Sequence, residues 1–178
     1  MIAFEKILTF KPNKNIKMNQ AHIHLLITHL PIIGSILGGL VLAHGIWTKS
    51  NQTKIAAYHV LIISSIGAVI AYLTGEGAEE TVEKIQGVSE KIIEQHDDFA
   101  VYALVALCIL GVAALIGLFF VFINSTLSRT IAIITLVISL VSFGLIAYTG
   151  YLGGQIRHTE INAAIPIDQK NGEEDKDD

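Results

Sequence analysis

Four runs of about 20 apolar residues each, Leu25–Trp47, Ile55–Thr74, Phe99–Ile123 and Ile131–Tyr151, occupy most of this 178-residue chain. At about 1.5 Å per helical residue, each is long enough to cross a hydrocarbon layer of roughly 30 Å. Every backbone N–H and C=O in such a layer must be satisfied within the chain, which leaves helices or a closed barrel. Runs of this length without strict alternation are helical. The fold expected is all-α, an integral membrane four-helix up-down bundle. Only 16% of residues are charged, against about 25% in soluble domains. Few residues remain for a separate soluble domain.

The two ends of the expected bundle differ in chemistry. Lys49–Lys54 joins spans one and two, and Asn124–Thr130 joins spans three and four. Both are short, lie on one side, and hold Lys49, Lys54 and Arg129 with no acid. Every Asp and Glu lies on the other side, in the N-terminal segment, the loop 75–98 and the C-terminal tail. Loops rich in Lys and Arg stay cytoplasmic. The short loops are therefore expected in the cytoplasm of a bacterial inner membrane, with the acidic tail outside it. The lysines Lys6, Lys11, Lys14 and Lys17 argue the other way. Asn19 makes a good N-cap just after Met18, so residues 1–17 read as a basic extension ahead of Met18. Residues 18–158 then form the membrane domain, and 159–178 an acidic, solvated tail.

In the long loop, Gly75 and Gly77 are expected to end span two. A short extramembrane helix is expected over Ala78–Ile85, with Glu80 and Lys84 as an i,i+4 pair, and Gly87 ends it. Ser89 then caps a helix running through Glu90–Gln95 into span three, with Ile92, Ile93, His96 and Phe99 on one face. Gly34 and Gly38 form a GxxxG in span one, a surface for close helix approach and for homo-oligomerisation. Ala100, Ala103 and Ala106 continue a small-residue stripe from His96.

Up-down threading brings the start of spans one and three to the same side as the end of spans two and four. His22, His24, His29, His96 and His158, five of the seven histidines, gather there with Glu76, Glu79, Glu80, Asp97, Asp98 and Arg157. His29 lies about 6 Å inside the span by helical rise. Two residues on, Pro31 withholds a donor from the carbonyl of Ile27 and kinks the helix. An ionisable side chain at that depth marks a functional site. Three chemistries fit. One is haem b clamped by His29 and His96. A second is a transition metal held by His22, His24, His29, Glu76, Glu79 and His96 in some combination. A third is proton or quinone handling by a His–Glu pair. A structural or assembly protein without cofactor, or a proton- or solute-conducting module, is the competing reading.

On the opposite side His44 and His59 sit a few residues inside spans one and two, beside the interfacial aromatics Trp47 and Tyr58. One cysteine, Cys108, excludes CxxCH haem attachment and multi-thiolate zinc. No G-x-S-x-G, H-E-x-x-H or phosphate-binding loop occurs. No basic patch supports nucleic-acid binding.

Met18–Gly34, with its H-x-P opening His29-Leu30-Pro31, resembles the start of uncharacterised bacterial four-span membrane proteins of a domain-of-unknown-function family. Leu73–Glu80, then Gly87-Val88-Ser89 and His96, resemble them too, so the similarity covers Met18 to Tyr151. It implies a four-span fold and a start at Met18, with no established activity. Similar domains occur near or fused to respiratory and cytochrome modules. The resemblance therefore implies a small redox or respiratory accessory protein, with electron-transfer proteins as partners.

Overall fold

The computed structural model describes residues 20–82 and 89–157. The N-terminal extension, the segment 83–88 and the acidic tail lie outside the described residues. All elements among the described residues are helices: α1 (Gln20–Ile27), α2 (His29–Trp47), α3 (Asn51–Val82), α4 (Glu90–Phe122) and α5 (Ser128–Arg157). Four stretches are long and apolar enough to cross a membrane: Ala21–Trp47, Asn51–Val82, Glu90–Phe122 and Ser128–Ile156. The first is α1 and α2 together, divided at Thr28. The division stands where Pro31 has no N–H for the carbonyl of Ile27. Thr28 keeps helical dihedrals and its N–H still reaches the His24 carbonyl at 3.0 Å.

Helix α3 departs from the sequence expectation. Gly75 and Gly77 do not end it, and the separate helix expected from Ala78 is instead its last part, through Val82. A mid-helix glycine costs about 1 kcal/mol relative to alanine. Within this turn Thr81 Oγ1 donates to Gly77 O at 2.9 Å. With 32 residues α3 is about 48 Å long, well beyond a hydrocarbon core. Its last turns and the first turns of α4 reach outside that thickness.

Both short connections close with the same device. Lys49 and Asn124 have positive φ of 56° and 51°. Ser50 N–H donates to Gly45 O and Lys49 N–H to Ile46 O; Ser125 N–H donates to Phe120 O and Asn124 N–H to Val121 O. This pair of bonds is the Schellman ending, with the left-handed residue just past the helix. It reverses the chain in few residues and brings consecutive helices side by side.

Helix α2 packs on α3 and α5, and α4 packs on α3 and α5, so the helices close a ring. In each helix one series of buried residues steps by alternate threes and fours. In α2 it is Pro31, Ser35, Gly38, Leu42 and Gly45, with Gly34 and Gly39 buried beside it; in α3 it is Lys54, Tyr58, Leu61, Ser65 and Ala68, with Ala57, Ser64, Gly67 and Ala71 buried beside it. In α4 the series is Ala103, Leu107, Leu110, Ala114, Gly117 and Val121, and in α5 Ala132, Thr135, Ser139 and Ser142. A 3.5-residue period keeps one seam inward along the whole length of a helix. The seam carries hydroxyls that bind neighbouring backbones: Ser139 Oγ donates to Ser35 O at 2.8 Å, Ser64 Oγ to Pro31 O at 3.1 Å and Ser142 Oγ to Ala106 O at 3.1 Å. In apolar surroundings such bonds add to close packing as the force between helices. Leu, Ile, Val and Phe cover the outside, with Leu26, Leu73 and Phe122 among the most exposed.

The glycines of α2 face this interior. Gly34 lies against Ser64 and Gly38 against Leu61, each too close for a Cβ. The GxxxG therefore serves packing within the chain, and its face is not free for a second copy.

Candidate functional site

His24 and His96 continue the inward seams of α1–α2 and α4. Seven residues before Pro31, His24 shares its register, and His96 stands seven before Ala103. Their rings meet edge to face, with centroids 6.5 Å apart and planes at 75°. Each ring is fixed by a carbonyl from a different helix. His24 Nδ1 lies 2.9 Å from Ala71 O on α3, with Thr74 Oγ1 at 3.4 Å. His96 Nδ1 lies 3.0 Å from Thr149 O on α5. A carbonyl can only accept, so both Nδ1 atoms carry a proton, and in the neutral form of each ring Nε2 holds the lone pair. A backbone carbonyl on the far nitrogen is the usual way of orienting a metal-binding imidazole and raising its basicity.

Glycine makes the room. A Cβ at Gly153 would lie 3.2 Å from His96 Cε1, and one at Gly75 would lie 3.7 Å from His24 Cε1. Two cavities share His24, Tyr72, His96 and Ala100 as walls. The inner one, about 60 Å³, is bounded by Ala68, Ala71, Ile32, Ile146 and Gly150. The outer one, about 430 Å³, opens between α3 and α4 past Glu76, Glu79, Asp97 and Asp98. Glu79 and Asp97 share a hydrogen bond beside His96. The site thus consists of two imidazoles with free Nε2 atoms, an apolar floor of small side chains, and an acidic mouth.

The other sequence candidates stand elsewhere. His29, expected as the partner of His96, is exposed, and its Nδ1 turns back to Leu25 O on its own chain at 2.8 Å. Five residues separate it from His24, about 140° around a helix, so the two cannot share a face. The ring that meets His96 is that of His24. His22 is exposed, as is Glu76, while Glu79 is half-buried at the mouth. His158 lies outside the described residues. Among those residues, no group of three or more His, Cys, Asp or Glu side chains is gathered to hold a metal ion. Of the six candidate ligands, the structure brings the rings of His24 and His96 face to edge.

The sequence carries a signal that separates His24 from His29. Depth and the neighbouring Pro31 drew attention to His29, whereas helical register points to His24. The pinning carbonyls of Ala71 and Thr149 had no signal, because any residue supplies a carbonyl.

At the other end, His44 is exposed with its ring against Trp47, and His59 is exposed and bonded through Nδ1 to Ile55 O.

No family model matches the chain, and neither a curated protein nor a solved structure matches it.

Proposed function

We propose that this chain is a small multi-pass protein of a bacterial inner membrane, an up-down four-helix bundle, that holds haem b between His24 and His96 as a redox or respiratory accessory protein. The observation that carries this reading is the facing pair of imidazoles, each pinned through Nδ1 by a neighbouring helix. Two metal–imidazole bonds of about 2.0–2.1 Å, each with its ring's radius behind it, space the centroids of a linear bis-imidazole site by roughly 6.3 Å. The pair stands at 6.5 Å. That spacing, with both rings anchored through Nδ1, is what supports iron held between the pair.

When bound, haem supplies one-electron transfer. The chain's own residues do the rest. His24 and His96 would hold it through Nε2, in the orientation that Ala71 O and Thr149 O impose. Ala68, Ala71, Ala100 and Gly150 leave the wall flat. Ile32 and Ile146 exclude water from the inner side. The resemblance of Met18–Tyr151 to four-span proteins found near cytochrome modules favours the same reading. The orientation proposed puts the short loops in the cytoplasm, on the excess of Lys49, Lys54 and Arg129 there.

The acidic mouth favours a second reading, a bare transition-metal cation on the same two histidines, because Glu76, Glu79, Asp97 and Asp98 oppose the two carboxylates of a haem. An absorption spectrum of the purified, detergent-solubilised protein separates the two. A Soret band that sharpens and shifts on reduction supports haem. A colourless protein with about one equivalent of iron, copper or zinc, lost in His96→Ala, supports the metal. A colourless, metal-free and folded protein removes both. Reporter fusions at Asn51 and Asp178 should report opposite compartments.

A further inference from the structure

At the short-loop end the inward seams begin with charge instead of apolar side chains. Lys54, on the seam of α3, is only 5% exposed. Its Nζ donates to Ser128 Oγ at 3.3 Å, and Ser128 opens α5. The Lys54 backbone and Cγ lie against Gly45 of α2. The side chain thus runs from α3 past α2 and ends on the first residue of α5. Arg129, next to Ser128, is exposed, and its charge acts on Lys54. Lys49 is exposed in the adjoining turn.

These cations have no counter-charge in the spans. No Asp or Glu occurs between Glu5 and Glu76, nor between Asp98 and Glu160. The carboxylates of the described residues all lie at the far end of α3 and the near end of α4. A buried ammonium without an anion is costly in low dielectric, and a guanidinium beside it raises that cost. A hydroxyl supplies a dipole but no charge. The anion that balances them must come from outside the bundle. The level is that of lipid headgroups, with Trp47 82% exposed next to it.

We infer that the short-loop end of the bundle binds one phosphate group, that of an anionic phospholipid, between Lys54 and Arg129. A phosphodiester supplies a full negative charge and several acceptor oxygens. It accepts from the Lys54 ammonium as a point charge and from the Arg129 guanidinium through two parallel N–H groups. This is independent of what the histidine pair holds.

The test is the melting temperature of the full chain in a neutral detergent, titrated with phosphatidylglycerol, phosphatidylcholine or inorganic phosphate. Phosphatidylglycerol should raise Tm by about 5 °C at saturation, and phosphatidylcholine by much less. Lys54→Met should abolish the difference, Lys54→Arg should retain it, and Arg129→Gln should reduce it. Lys91→Met, at the opposite end, should leave it intact. If Lys54→Met does not fold, Arg129→Gln against Lys91→Met carries the comparison. Equal responses to the two lipids, or a phosphatidylglycerol response untouched by both Lys54→Met and Arg129→Gln, overturn the proposal. An equal response to inorganic phosphate overturns the lipid as its source.

Discussion

The two ends of the bundle use one seam register for opposite purposes. At the short-loop end it carries Lys54, Tyr58 and Gly117, packed without space. Tyr58 is fully buried, its ring pressed on Gly117, and its hydroxyl is the one buried side-chain polar atom without a hydrogen-bond partner among the described residues. At the other end the register carries His24, Ala100, His96 and Gly153, surrounded by cavities and pinned by carbonyls. One end spends its small residues on helix contact, and the other spends them on open volume. A small residue on a membrane helix therefore identifies neither packing nor a ligand by itself. What faces it decides.

The largest effect expected separates the histidines of one end. His24→Ala and His96→Ala should each abolish the low-spin haem spectrum, because a bis-histidine iron needs both axial ligands. His29→Ala and His22→Ala should retain it, and so should His44→Ala at the far end. Loss of the spectrum in His29→Ala with retention in His24→Ala would reverse the assignment of the pair.

The next effect concerns the packed end. Gly117→Ala places a methyl into the Tyr58 ring and should cost about 1–3 kcal/mol, read as a lower midpoint in thermal or denaturant unfolding with the haem spectrum of the remaining folded protein unchanged. The mirror change at the open end is Gly153→Ala. Its methyl would press on His96 at 3.2 Å and tilt the ring away from Thr149 O. Ligand affinity should fall by about 10-fold or more, read by haem titration, with little change in the unfolding midpoint. If both alanines act on stability alone, the contrast between the ends is lost.

The smallest effect is Tyr58→Phe. The hydroxyl has no partner, and its removal relieves a desolvation cost of about 1 kcal/mol. The unfolding midpoint should stay level or rise slightly. A clear fall would mean that the hydroxyl has a partner, such as a water.

Much of the fold was legible because a helix long and apolar enough to cross a membrane is specified by its own residues. Length, apolarity and the short-loop positions of Lys49 and Asn124 determine the four helices and their order in the chain. Pro31 marked the break at Thr28, since a missing N–H acts locally. Clustering of histidines and carboxylates at one end also followed from the chain alone. The partner of His96 did not. His24 and His29 differ by about 140° of helix rotation, and sequence depth does not report rotation; only the packing of α1 against α3 turns His24 inward. Gly75 and Gly77 read as a stop, yet α3 runs on through Val82; a glycine disfavours helix by only about 1 kcal/mol relative to alanine, too little to end one by itself. The GxxxG of α2 carried no sign of whether its partner was α3 or a second chain. Local backbone chemistry is written in consecutive residues, whereas the facing of side chains is a property of which helices meet, and for this protein the tertiary structure alone decided it.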